Sequence, residues 1–196
     1  MGSRRVGQAR IKSLINENQN TLKLNTTAQM TAGTGITTGT GTLIKYSVLT
    51  VGNIIHTTIL VDLTGLSVDA SDDVIIGVAS ASNCHIGEIT DAVNGTVIGG
   101  RITCLEAPAG ASADINLWTA NISNGPEGAT ITDADTTSEL LDHGEAWTVA
   151  GGAATAMTLS TSPATATWLY LTNGAASGAG TYTGGRFLIQ FWGYEA

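Results

Sequence analysis

The chain has 196 residues and 20.0 kDa, with charged residues at only 12%, aromatics at 5%, 25 Gly, three Pro and a net charge of −8. A charged content about half the ~25% usual for globular domains, in a chain rich in Thr and Gly, speaks against a helical bundle and a disordered tail and for an all-β body. A pI near 4.6 speaks against a body that grips nucleic acid, because neutralising phosphates needs clustered Lys and Arg.

The charge is unevenly placed, and the N-terminus holds the exception. Residues 1–24 carry Arg4, Arg5, Arg10, Lys12 and Lys23 against Glu17 alone, a local charge of +4, which leaves −12 on the remainder. Within 4–22, Ile11, Leu14, Ile15 and Leu22 fall on one stripe at helical spacing, with Arg5, Arg10 and Lys12 projecting away from it, so a short amphipathic helix or an extended arm is expected. Such an arm either packs on its own sheet or docks on another subunit. On the docking reading Arg4, Arg5, Arg10, Ile11, Lys12, Leu14 and Ile15 are the partner-binding residues. No aromatic interleaves the basic residues, which argues against nucleic acid. No apolar run approaches the ~18 residues of a membrane span, and no export signal follows Arg4 and Arg5, so no membrane partner is expected.

Residues 25–42 form a Thr/Gly segment, with Thr31-Ala-Gly-Thr-Gly-Ile-Thr-Thr-Gly-Thr-Gly41 at its centre. A phosphate cradle needs a strand before it and a helix after it; here a strand-like run follows, so the segment reads as a flexible or extended connector. The body, 43–196, reads as one domain of short strands: 43–51, 54–63, 74–80, 84–91, 96–105, 114–121, 129–132, 146–150, 155–160, 166–172 and 185–192. Gly52-Asn53 predicts a tight hairpin between the first two, and Asn94-Gly95 another whose register sets Val93 against Thr96 and Glu88 against Arg101. The last strand has apolar residues on both faces, Phe187, Ile189 and Phe191 on one and Leu188 and Trp192 on the other, which predicts a central place. Together these predict an antiparallel β-sandwich or jelly-roll-like body.

Chemistry-bearing residues are sparse. Cys84 and Cys104 lie one step out of register on the predicted Asn94-Gly95 hairpin and read as buried, reduced thiols unless a bulge at Gly87 joins them. Cys84 and His85 are neighbours that would point to opposite faces of a strand, and His56 and His143 have no Ser or Asp constellation, so no catalytic residue is expected. The acidic stretch 133–145 offers Asp133, Asp135 and Thr137 at alternate spacing but departs from a calcium loop at Ser138 and Gly144. A solvated loop is the simpler reading, and neither metal nor cofactor is expected. Asn25, Asn94 and Asn121 head glycosylation sequons that a Thr-rich composition produces by itself. Among four Trp and four Tyr, Trp147 and Tyr182 lie near loops and are the candidate stacking platforms if the chain is a carbohydrate-binding module.

The basic start Gly2-Ser-Arg-Arg-Val-Gly-Gln-Ala-Arg-Ile11, the Thr/Gly connector and the ending Trp168-Leu-Tyr-Leu-Thr172 with Gly180-Thr-Tyr-Thr-Gly-Gly-Arg-Phe-Leu-Ile-Gln-Phe-Trp-Gly-Tyr194 resemble small structural proteins of tailed bacteriophages, marine phages in particular. The resemblance is one of style over the whole chain. It implies a non-enzymatic virion component, a capsid decoration or cement protein on the capsid surface. It further implies assembly in the host cytoplasm as a homotrimer or other homo-oligomer, with the major capsid protein or other virion subunits as partners. A tail, fibre or head-spike adhesin is the alternative within that class.

Overall fold

The computed structural model describes residues 23–24, 30–134, 136–149, 155–174 and 178–195. Gly52 and Asn53 close the hairpin the sequence predicts: β2 (Leu43–Val51) pairs with β3 (Ile54–Asp62) from Val51↔Ile54 back to Leu43↔Asp62. The closing strand, β12 (Gly184–Tyr194), is central as its two apolar faces require, antiparallel to β3 on one side and to the 14-residue β6 (Thr96–Ala109) on the other. With β1 (Lys23–Leu24) beyond β2 and β9 (Thr155–Thr158) beyond β6, the large sheet has the order β1-β2-β3-β12-β6-β9.

The small sheet has the order β5-β10-β7-β8, made from β5 (Gly87–Ile89), β10 (Thr167–Asn173), β7 (Ile115–Ala120) and β8 (Thr137–Leu141). A two-stranded ribbon, β4 (Ser67–Val68) with β11 (Gly180–Thr181), completes the set, and every ladder is antiparallel. The connectivity is that of a jelly roll. Along β3, β5, β6, β7, β8, β9, β10 and β12, the first strand pairs with the last, the second with the seventh, the third with the sixth and the fourth with the fifth, as in one long hairpin wrapped on itself. β1 and β2 are additions at the β3 edge.

One hydrophobic core joins the two sheets. Ile59, Val61, Phe187, Ile189, Phe191 and Ile102 from the large sheet and Ile89, Ile115, Leu117, Leu169 and Leu171 from the small one belong to a single buried cluster. Trp147 fills it from a loop, its indole N–H donating to the Ile115 carbonyl at 2.8 Å and its ring meeting Phe187 edge-on.

Several expectations are corrected. Asn94-Gly95 is not a hairpin but the end of α2 (Asp91–Asn94), a single helical turn that carries the chain from the small sheet to the large one. Local chemistry favours the helix. The Thr90 hydroxyl accepts from the Val93 N–H, Asp91 sits in the first turn, and the Asn94 side chain accepts from the Thr90 N–H and donates to Thr57 Oγ1, both at 2.9 Å. Gly95 has φ +62°, and a Cβ there would lie 2.3 Å from the Tyr194 carbonyl oxygen. Glu88 therefore faces Trp168 instead of Arg101, and Arg101 donates to Gln190 Oε1.

The Thr/Gly segment is also more than a connector. Met30, Ala32 and Ile36 are buried in the core, α1 (Thr34–Thr37) is a helical turn, and Gly33 and Gly35 donate to the carbonyls of His85 and Asn83. Residues 74–80 hold only isolated bridges, at Val74, Ile75 and Gly77, residues 129–132 hold a bridge at Thr130 and the start of a 3-10 turn, and 146–150 contains no strand among its described residues. The acidic stretch contains β8, an edge strand with Glu139 opposite Trp118. The predicted helix over 4–22, with Arg4, Arg5, Arg10, Ile11, Lys12, Leu14 and Ile15, lies outside the described residues.

Candidate functional site

Two features stand out among the described residues: a half-exposed outer face of the large sheet and a cavity beside the small one. Alternation along the strands of the large sheet sends odd-numbered β12 residues into the core and Arg186, Leu188, Gln190, Trp192 and Tyr194 to the far side. Register then aligns three rows across that far side: Val51, Ile54 and Tyr194; Leu49, His56 and Trp192; Lys45, Leu60, Leu188 and Thr103. At one end Arg186 pairs with Asp62 at 2.6 Å and Glu106 at 3.5 Å, beside Leu43 and Leu105, which are 39% and 40% exposed. At the other end Val51, Ile54, Tyr194 and Ile98 are 42%, 39%, 41% and 58% exposed. Ile98 falls where the β6 register shifts opposite Trp192 and Gly193, a bulge that turns it outward. β1 joins at this same end, Lys23 against Thr50 and Leu24 against Leu49, so the basic arm meets the body beside its most exposed apolar side chains.

The cavity, about 550 Å³, lies between Met30–Thr34 and the small sheet. Its wall on the sheet side is Trp168 with Glu88 directly opposite it on β5. Thr90 and Val93 come from α2 and its cap, Ser123 from the loop after β7, and Asn83 and His85 from the approach to β5. Backbone fit holds the two sides together: Gly33 donates to the His85 carbonyl at 2.9 Å, and a Cβ on Gly33 would fall 1.8 Å from the Asn83 oxygen. Asn83 itself has φ +59°. The His85 ring meets Tyr170 edge-on, its Nδ1 is buried without a hydrogen-bond partner, and burial holds its pKa below the ordinary value, so it is a neutral imidazole at pH 7.

The sequence-predicted stacking platforms do not serve. Trp147 and Tyr182 are each 1% exposed, and Trp168, read as core, is the indole that reaches the cavity. Nothing local marked it beyond its place out of step with Leu169 and Leu171, because the cavity is assembled from four separate stretches of chain. Cys84 lies in the loop before β5 and Cys104 in β6, so they are not strand partners. Both are buried free thiols that burial pushes up to about 11, protonated and poorly nucleophilic at neutral pH. Asn94, heading one sequon, is buried with both ends of its amide engaged, which removes it as a glycosylation acceptor.

Acidic groups gather instead at one end of the small sheet. Burial, with repulsion from Asp72 and Asp142, raises the pKa of Asp73; burial, with Asp142, Asp73 and Asp72, raises that of Glu139. Asp114, 7% exposed with Oδ1 unpartnered, is raised by burial and by Asp142, Asp72 and Asp73, against a lowering from His143. Asp133 ends a 3-10 turn and Thr137 starts β8, while Asp135 lies outside the described residues. Among the described residues no group of three or more His, Cys, Asp or Glu is placed to hold a metal, and no helix is long and apolar enough to cross a membrane. No family model, curated protein or solved structure matches this chain.

Proposed function

We propose that the chain is a non-enzymatic structural subunit of a virion, a capsid decoration or cement protein of a tailed bacteriophage, which docks through its basic arm and the half-exposed outer face of its large sheet. The observation that carries this reading is the coincidence of arm and patch. β1 anchors the arm at the sheet end where Val51, Ile54, Ile98 and Tyr194 stand exposed. Contiguous exposed apolar surface beside a charged segment is the usual signature of a partner surface. The jelly-roll connectivity agrees by analogy, since that architecture recurs in capsid and lectin domains, though a fold by itself assigns no function. The −12 remainder and +4 arm favour contact between the arm of one subunit and the body of another, or of a capsid protein.

The test is binding to preformed heads. The full chain should sediment with purified phage capsids, and a chain lacking residues 1–22, which keeps β1, should fold but lose that binding. Full occupancy by the truncated chain would remove the arm from the mechanism. A tail or spike adhesin is distinguished by low copy number per particle.

A further inference from the structure

We infer that the cavity between Met30–Thr34 and the small sheet is a binding site for a neutral sugar, of mono- or disaccharide size. The reasoning rests on the cavity alone and does not depend on capsid docking, since the proposed docking face belongs to the other sheet. A volume of about 550 Å³ lies inside the ~300–1,000 Å³ of small-ligand sites. Its lining chooses the class. Among the described residues the wall includes no Lys or Arg and does include the Glu88 carboxylate, which disfavours phosphates, sulfates and other anions. One carboxylate is too few for a hard cation, which takes six or more oxygens.

What remains is a hydroxyl-rich surface with one aromatic wall. Thr31, Thr34, Thr90 and Ser123 each offer a rotatable donor and acceptor, and the Asn83 amide adds both kinds. Glu88, with no side-chain partner among the described residues, offers acceptors only. His85 is neutral and adds no charge to the lining, its Nδ1 being buried out of reach of the cavity. A polyol supplies the matching mixture, each hydroxyl both donating and accepting, while the apolar C–H face of a pyranose suits the Trp168 indole that stands beside Glu88. The cavity is also rigidly framed. The Gly33 and Gly35 hydrogen bonds to His85 and Asn83 fix the Thr31–Thr34 side against the sheet, so little ordering cost falls on binding.

The experiment uses the full chain and ligand-observed NMR titration with glucose, galactose, N-acetylglucosamine, cellobiose, lactose and chitobiose. Tetramethylammonium and inorganic phosphate serve as probes of the competing classes. At least one sugar should bind, and Trp168→Leu and Glu88→Gln should each weaken it by about tenfold or more, as loss of a central contact does. Should Trp168→Leu fail to fold, Thr34→Val takes its place, since Thr34 faces solvent as well as the cavity and its change leaves the core alone. The inference is overturned if no sugar binds the folded chain, or if sugar binding is untouched by the variants. It is equally overturned if phosphate or tetramethylammonium binds in a variant-sensitive way while the sugars do not.

Discussion

The two sheets solve the problem of their outer faces differently. β7 is buried at every position, and β10 from Leu169 to Asn173, because the chain's own loops lie against them. The loop after β7 folds over Tyr170, whose hydroxyl donates to the Ile122 carbonyl and accepts from the Gly125 N–H, and residues 74–76 run along β10 with Ile76 donating to Leu171. Strands β3 and β12 of the large sheet instead alternate between buried and half-exposed, with Leu60, Leu188 and Trp192 on the outer side and the Arg101 guanidinium 6.0 Å over the Trp192 ring. Among the described residues the small sheet is thus closed over by the chain itself while the outer side of the large sheet stays half-exposed, and the proposed docking falls on the large sheet.

Adjacent positions on β12 test that contrast most directly. Phe187→Ala, on the core face, should cost about 3–5 kcal/mol in chemical denaturation because it opens a cavity between the sheets. Next comes the loop cover of the small sheet. Tyr170→Phe strands the Gly125 N–H and should cost about 1–3 kcal/mol, with amide exchange rising across 121–131 and little elsewhere; uniform exchange would mean the loop is not held by that hydroxyl.

A smaller effect is expected from pH. Asp73, Asp114 and Glu139 have folded pKa values above their unfolded ones, so the stability they contribute is complete below about pH 4 and is lost as pH rises through their folded values. Asp62 behaves in the opposite sense. Burial pushes its carboxyl up, but hydrogen bonds from Thr64 and Arg186 and the Arg186 charge outweigh that, and its contribution is lost as pH falls below about 4. Asp114→Asn should therefore raise Tm at pH 7 and leave it nearly unchanged at the acid end; an equal shift at both would show that charge is not the cause. The smallest effect belongs to the open face. Leu188→Ser should change monomer stability by less than about 1 kcal/mol yet weaken self-association or capsid binding measured by sedimentation. A large loss of stability would mean that the face is covered within the subunit.

Legibility in the sequence followed the same division. The large sheet was readable where strands alternate and turns are short: 43–51, 54–63 and the two-faced 185–192 emerge from period and from Gly52-Asn53, close to the observed Leu43–Val51, Ile54–Asp62 and Gly184–Tyr194. Regions closed by long-range fit were not. β8, Thr-Ser-Glu-Leu-Leu, carries too little alternation to separate it from an acidic loop, and it becomes a strand by pairing with β7. Asn94-Gly95 looks like a hairpin until Thr90 and Asp91 are read as a helix start. Thr31–Thr34 looks like a linker because its glycines are there for close approach to Asn83, far away in sequence. The cavity shares that origin, and no spacing rule reaches across its separate stretches.

The wrapped hairpin also dictates an order of events during synthesis. Among the described strands β12 is made last, yet it occupies the slot between β3 and β6 and joins the two halves of the large sheet. Until it leaves the ribosome, β3 and β6 each present an unpaired edge, and the apolar residues of the inner face have no completed sheet to line. A nascent chain of this protein is therefore committed to waiting. Its long-range pairing makes folding slow, and any chain ending before Gly184 is a chaperone client instead of a smaller version of the same fold.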